Sequence, residues 1–108
     1  PMKEQLIQNL RRLGAFWSYA PQAPIPDAVL IEEVLRWGDV AEIQALFRLY
    51  ATAEIRKVWR ETLIPDTRIY PHNYYLALIF FNIKNPKRYI LPLQKKYSRY
   101  ERLKQLIA

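Results

Sequence analysis

The sequence predicts an all-α fold, a compact bundle of about five to six short helices. Glycine occurs only twice among the 108 residues, no alternation of apolar and polar residues reaches strand length, and apolar residues recur at helical spacing between turn signals. Hydrophobic residues make up 51% of the chain, enough apolar surface to offset the entropy lost on folding. One domain over residues 1–108 is expected, with a helical core at 15–91 and a basic C-terminal helix at 92–108. Pro1, ahead of the first methionine, is expected to be a cloning remnant.

The N-terminal quarter predicts one helix followed by an extended connector. Leu6, Leu10 and Leu13 have the spacing of one helical face, and this helix should end near Gly14. A proline lacks an amide donor and disfavours helix in the residue before it. The connector contains three of them: Pro21, Pro24 and Pro26.

Two helices are predicted after the connector. Asp27 is expected to cap the first, which ends at Gly38 with Trp37 facing the core. Asp39 and Glu42 form a D-x-x-E variant of the capping box and open the second helix. These signals predict a sharp boundary between the two helices at Gly38.

A further helix is predicted from Thr52, as its cap, to Leu63, with Trp59 toward the core. Its opposite face carries three cations: Arg56, Lys57 and Arg60. Together with the helix before it, this segment has the layout of a helix-turn-helix, whose second helix enters the major groove. Guanidinium and ammonium groups pair with guanine edges and phosphate oxygens, so one interpretation is contact with double-stranded DNA. The alternative is ordinary packing of two short helices around a tight turn.

Two more helices are predicted in the C-terminal part. Pro71 fits the first position of a helix that runs to about Ile83 and is apolar nearly all round, so it should be the buried centre. Asn85–Pro86 begins a short turn, which Pro92 is expected to interrupt. The last helix is then predicted over Leu93–Ile107.

The net charge of +7 comes entirely from the end of the chain. Residues 1–83 hold nine basic and nine acidic side chains, whereas residues 84–108 hold eight basic side chains and the single acidic Glu101. A neutral body with a cationic end indicates an anionic partner for that end.

The last helix has two opposite stripes at 100° per residue. Lys95, Arg99 and Arg102 form a cationic ridge that can face phosphates. The other stripe includes Tyr97 and Tyr100 and either packs on the core or binds the groove of a partner protein. A solvated charged face on an ordinary packing helix is the alternative to both functions.

Catalytic signals are scarce. The lone histidine, His72, follows Arg68 by four residues, but Pro71 interrupts the continuous helix that helical ribonucleases of the HEPN class place between such residues. A capping or surface role at the helix start is therefore favoured for His72. There is no cysteine, no metal-ligand spacing, no nucleophile motif and no phosphate loop. The prediction is a protein with no enzymatic activity, cofactor or metal. A cytoplasmic location without membrane insertion is expected, and a homodimer is compatible with the sequence.

Several aromatic and apolar runs carry a resemblance to a known family. The first run is Phe16–Trp17, whose side chains either pack under the connector or face a partner. The other runs are Ile31–Asp39, Leu46–Tyr50, Glu54–Trp59 and Asn73–Ile83. Over about residues 15 to 90 the chain resembles a family of small bacterial helical proteins often encoded beside AbiEii-like nucleotidyltransferase toxins and thought to act as their antitoxins. The resemblance implies a non-enzymatic protein that binds a cognate toxin, or regulates its own operon, and implies no catalytic residue.

Overall fold

A computed structural model describes residues 2–107, which form helices joined by turns and irregular segments, and no β-strand occurs among them. The all-α prediction is confirmed. These residues form seven α-helices, more than the expected five to six, together with one π-helical and one 3-10 segment. The chain separates into two units at Val58 and Trp59, which are described in turn.

Unit 1, residues 1–58, contains four α-helices: α1 (Met2–Arg12), α2 (Asp27–Trp37), α3 (Val40–Leu49) and α4 (Thr52–Val58). Helix α2 is its centre, because it packs against each of the other three. Its buried side chains lie along one face: Leu30, Ile31, Val34 and Leu35. The neighbouring helices add further buried side chains to this core: Leu6, Leu10, Ile43, Leu46 and Ile55.

The helix starts of unit 1 test two predicted caps. At α3 the capping box is confirmed: the Asp39 carboxylate accepts from the Val40 amide at 2.7 Å, and the Asp39 amide donates to Glu42 Oε1 at 3.1 Å. At α2 the predicted cap is wrong, because Pro26 occupies the cap position. The Asp27 carboxylate instead accepts from Lys3 Nζ at 2.8 Å and from the Tyr50 hydroxyl. These two bonds connect α2 to α1 and to the end of α3.

Unit 2, residues 59–108, begins with a change of helix type. The helix predicted from Thr52 to Leu63 stops being α-helical at Val58, and Trp59–Leu63 forms a π-helical turn. The Ile64 amide accordingly donates to the Trp59 carbonyl, five residues earlier, at 3.0 Å. Thr52 is the first helical residue, not the cap. The remaining elements are a 3-10 turn (Thr67–Ile69), α5 (Tyr70–Ile79), α6 (Pro86–Lys96) and α7 (Arg99–Gln105).

Trp59 is the centre of unit 2. Its indole is fully buried, as predicted, and stacks on Phe81 at 4.4 Å and on Tyr89 at 5.8 Å between ring centroids. The indole Nε1–H donates to Asn73 Oδ1 at 3.1 Å, and Asn73 Nδ2–H donates to the Leu63 carbonyl at 3.0 Å. Asn73 is the buried polar residue of α5, and it satisfies both the indole and a carbonyl at the end of the π-helical turn.

Helix α5 is shorter and more exposed than predicted. It ends at Ile79 because Asn82 adopts a left-handed conformation (φ 54°), which lets the Ile83 amide cap the Ala77 carbonyl at 2.9 Å. One face is buried, but the opposite face is exposed and carries Tyr75, Leu78 and Ile79. The prediction of a helix buried on all sides is therefore wrong. These three residues are exposed because α5 packs against the rest of the unit along one face only.

The predicted single helix over 92–108 is also wrong. Helix α6 begins at Pro86, where the Asn85 side chain accepts from the Arg88 amide at 3.2 Å, and it continues through the exposed Pro92. The break comes later, at Tyr97 and Ser98. The Ser98 hydroxyl accepts from the Glu101 amide at 3.2 Å and so starts a separate helix, α7.

Candidate functional site

An open groove of about 380 Å³ lies in unit 1 between the connector after α1 and the C-terminal half of α2. Residues 13–19 form one side, and Glu33, Arg36 and Trp37 form the other. We call it the tryptophan groove, because Trp17 and Trp37 line it from opposite segments of the chain.

The backbone after α1 places the side chains of Phe16 and Trp17 in different environments, one buried and one exposed. Gly14 and Phe16 both have positive φ angles, 91° and 62°, and a left-handed conformation is unusual for a bulky residue such as Phe16. This backbone turns the Phe16 ring inward, where it is 4% exposed and contacts Tyr19 edge-to-face at 6.3 Å. Arg11 lies 5.9 Å from the Phe16 ring centroid. Phe16 therefore packs in the core, whereas Trp17 is 89% exposed, and the predicted partner-binding role of the two residues stays a prediction.

Trp37 differs from its predicted position. It was expected to face the core, but it is 61% exposed. The reason is that α2 ends at Trp37 and the chain leaves in an extended conformation at Gly38. A Cβ at Gly38 would lie 2.7 Å from the Val34 carbonyl oxygen, so glycine is needed for this close exit. The structure thereby places a second exposed indole in the groove.

One carboxylate, Glu33, and one guanidinium, Arg36, line the α2 side of the groove. The Arg36 guanidinium donates to Glu32 Oε2 at 3.3 Å. Burial raises the pKa of Glu33 above its ordinary value, and the Glu32 charge raises it further, while Arg36 and a hydrogen bond with the Trp37 side chain act in the opposite direction. Two pairs with i, i+4 spacing, Glu32–Arg36 and Glu33–Trp37, indicate in the sequence that these side chains are neighbours on α2. Nothing in that spacing indicates that they lie near Trp17.

The cations predicted on the helix-turn-helix surface differ in exposure. Lys57 on α4 is exposed, whereas Arg56 on α4 and Arg60 in the π-helical turn are each half-buried. The Arg60 Nε atom is buried without a hydrogen-bond partner among the described residues. Helices α3 and α4 are separated only by Tyr50 and Ala51, the tight link that the sequence predicts. Their use as a helix-turn-helix stays a prediction.

The cations predicted near the C-terminus lie on two helices instead of one ridge. Lys95 belongs to α6, and Arg99 and Arg102 belong to α7. All three side chains are exposed. Of the two tyrosines, Tyr97 is half-buried under Lys96, whose Nζ lies 5.4 Å from the ring centroid, while Tyr100 is 71% exposed beside Lys104, also at 5.4 Å. The break at Ser98 divides the predicted aromatic stripe as well.

The charge distribution follows the division into units. Unit 1 contains seven basic and seven acidic residues, whereas unit 2 contains ten basic and three acidic residues. Unit 2 therefore carries the whole net charge of +7. The eight cations after residue 83 are all exposed: Lys84, Lys87, Arg88, Lys95, Lys96, Arg99, Arg102 and Lys104.

The residues considered for catalysis have structural partners. Arg68 donates to Asp66 Oδ1 at 2.9 Å and to Oδ2 at 3.0 Å, a two-point ion pair at the start of the 3-10 turn. His72 lies half-buried in the first turn of α5. Among residues 2–107 no cluster of three or more histidine or acidic side chains is arranged to hold a metal ion.

Comparison with protein-family models, curated proteins and solved structures finds no match for this chain. Of the helices in residues 2–107, none has the length and apolar character required to cross a bilayer.

Proposed function

We propose that the protein is a non-enzymatic, antitoxin-like interaction protein whose tryptophan groove binds a cognate nucleotidyltransferase-like toxin. The observation that carries the proposal is the pair of exposed indoles, Trp17 and Trp37, on one open groove. Tryptophan is enriched among the residues that dominate binding energy at protein interfaces. The sequence resemblance supports a toxin as the partner, and the groove offers a surface with the character of a protein interface.

Burying the tryptophan side chains of the groove would supply enough free energy to hold a partner protein. Burying one tryptophan side chain removes about 150–250 Å² of surface from water, which at about 25 cal/mol per Å² is worth about 4–6 kcal/mol before the costs of association. We expect Trp17→Ala to weaken the complex by at least about 2 kcal/mol, close to thirtyfold. Trp37, which is less exposed in the free protein, should show a smaller effect.

The test is co-purification of the tagged protein with the product of a neighbouring toxin-like gene, followed by titration of the purified pair. Tyr75→Ala is the matched control, because it also removes an exposed aromatic ring but lies on α5 of unit 2. A one-to-one complex that Trp17→Ala weakens and Tyr75→Ala leaves intact supports the proposal. Equal affinities for the two variants, or no complex, would contradict it.

We propose a second function, double-stranded DNA binding, on a separate observation. The whole net charge resides in unit 2, and Lys95, Arg99 and Arg102 are exposed there. Affinity for DNA falls as salt rises, and each phosphate that a cation neutralises steepens the slope of log affinity against log salt concentration by about 0.9. Such a function would make the protein a regulator, with the helix-turn-helix residues Arg56, Lys57 and Arg60 as an alternative contact surface.

The two DNA surfaces are distinguished by variants measured at several salt concentrations. Replacing Lys95, Arg99 and Arg102 together by glutamine should lower the salt slope by up to about 2.7 if each contacts one phosphate. Lys57→Gln should leave the slope unchanged. A shallower salt slope in Lys57→Gln alone would show that the phosphate contact lies on α4. Binding that does not depend on salt would rule out phosphate contacts at either surface.

A further inference from the structure

We propose that the tryptophan groove recognises an arginine side chain presented by the partner protein. The inference rests on the proposed function and names the chemistry of the partner at that same groove. It follows from the two indoles, from the position of the Glu33 carboxylate and from the pairing of the neighbouring Arg36.

The indoles supply flat faces for a planar cation. Trp17 and Trp37 line the groove from two segments, and both are largely exposed. A guanidinium stacks on aromatic faces and is less strongly hydrated than an ammonium, and tryptophan is the ring that attracts cations most strongly. An arginine stem also has three methylene groups that cover apolar surface, such as the adjacent Leu13.

The Glu33 carboxylate in the groove favours a cation over a neutral apolar group. Arg36 is bonded to Glu32 at 3.3 Å, so its charge is shared between two acidic neighbours, Glu32 and Glu33. Glu33 also forms a hydrogen bond with the Trp37 side chain, which holds the carboxylate beside that indole. A guanidinium between the rings would find a carboxylate at the edge of one of them.

The state of Glu33 in the free protein agrees with this assignment. Its pKa is raised, chiefly by burial and then by Glu32, and Arg36 and Trp37 reduce the shift only in part. An incoming cation stabilises the charged carboxylate. Binding should therefore weaken as the pH falls through the pKa of Glu33, because the protonated carboxyl no longer attracts the guanidinium.

The test uses the whole protein and the three indole N–H signals of a ¹⁵N NMR spectrum. The probe is Nα-acetyl-arginine amide, whose only charge is the guanidinium. Nα-acetyl-citrulline amide, a neutral compound of nearly the same shape, is the control ligand. Trp59 is fully buried in unit 2, so its signal serves as an internal reference and as a check that each variant is folded.

We expect the arginine probe to shift the Trp17 and Trp37 signals with millimolar affinity, while Trp59 stays unchanged and the citrulline compound has little effect. Glu33→Gln should weaken the probe by up to about fivefold, the upper end of the range for one exposed ion pair. Arg68→Gln, which removes a surface cation of unit 2, should have no effect.

Three results would overturn the inference: equal shifts with citrulline and arginine, tighter binding of Nα-acetyl-leucine amide, or an unchanged affinity in Glu33→Gln. Its failure is distinguishable from failure of the proposed function. If Trp17→Ala still destroys the toxin complex but the arginine probe does not bind, the groove holds an apolar anchor of the partner. If Trp17→Ala leaves the complex intact, the proposed function itself is wrong.

Discussion

Replacing Asn73 by alanine should destabilise the protein by about 2–4 kcal/mol, a large effect for one polar side chain. Asn73 is fully buried and joins the Trp59 indole to the Leu63 carbonyl through bonds of 3.1 and 3.0 Å. The alanine variant leaves the buried indole N–H without an acceptor, which costs about 1–3 kcal/mol. The Leu63 carbonyl loses less, because it also accepts from the Asp66 amide at 2.9 Å. The cavity left by the amide adds the remainder.

The contribution of the indole bond can be isolated with a double-mutant cycle. Trp59→Phe removes the N–H donor and keeps an aromatic ring between Phe81 and Tyr89, so it retains part of the stacking. In this background Asn73→Ala should cost at least about 1 kcal/mol less than in the parent protein. The measurement is urea unfolding followed by circular dichroism at 222 nm, with the urea dependence of the free energy compared among all four proteins.

The reasoning fails if Asn73→Ala has the same cost in both backgrounds, because the indole bond would then contribute nothing. It also fails if the single variant costs less than about 0.5 kcal/mol, the size of a neutral surface change. A variant that unfolds at lower urea with an unchanged slope, and with coupling to Trp59, would confirm that Asn73 supports the end of the π-helical turn.

Three further predictions follow from other contacts. Gly38→Ala should cost about 1–3 kcal/mol in thermal unfolding, because the new Cβ would lie 2.7 Å from the Val34 carbonyl oxygen, whereas Gly14→Ala meets no atom within 4 Å and suffers only from its positive φ. Ser98→Ala should speed amide hydrogen exchange in Arg99–Gln105 through loss of about 1 kcal/mol of capping, with Ser18→Ala as the control. Hydrogen bonds from Lys3 and Tyr50 lower the pKa of Asp27 below 3.8. The contribution of Asp27 to stability is therefore present above pH 3.8 and is lost as the pH falls through the lowered pKa. Asp27→Asn should flatten this part of an acid-unfolding profile.

Local signals predicted the parts of the fold that depend on a few neighbouring residues. The capping box at Asp39 and Glu42 is one such case, because all of its atoms lie within one turn. Ser98 with Glu101 is a comparable S-x-x-E signal that sequence reasoning passed over, since Pro92 is the more obvious helix breaker. The structure shows that a proline at an exposed helical position can be accommodated, while a well-placed serine starts a new helix.

The candidate site was less predictable because it depends on where helix ends meet other segments. Trp37 has the spacing of a core residue, and its exposure follows from the chain leaving at Gly38. Phe16 and Trp17 are equivalent in the sequence, and the left-handed backbone at Phe16 decides which ring is buried. The π-helical turn at Trp59 likewise leaves no periodic signal, because its start depends on tertiary bonds to Asn73.

The charge division gives a reason to expect two separable activities. A unit with seven basic and seven acidic residues has no net long-range attraction for a polyanion, and a unit with ten basic and three acidic residues does. Binding through Trp17 and Trp37 should accordingly depend mainly on apolar contact and on one short-range charge, Glu33, and should persist at high salt. Binding through Lys95, Arg99 and Arg102 should weaken steeply as salt screens and replaces the phosphate contacts. One chain with a salt-tolerant protein contact and a salt-sensitive nucleic-acid contact would keep its partner under conditions in which it releases DNA.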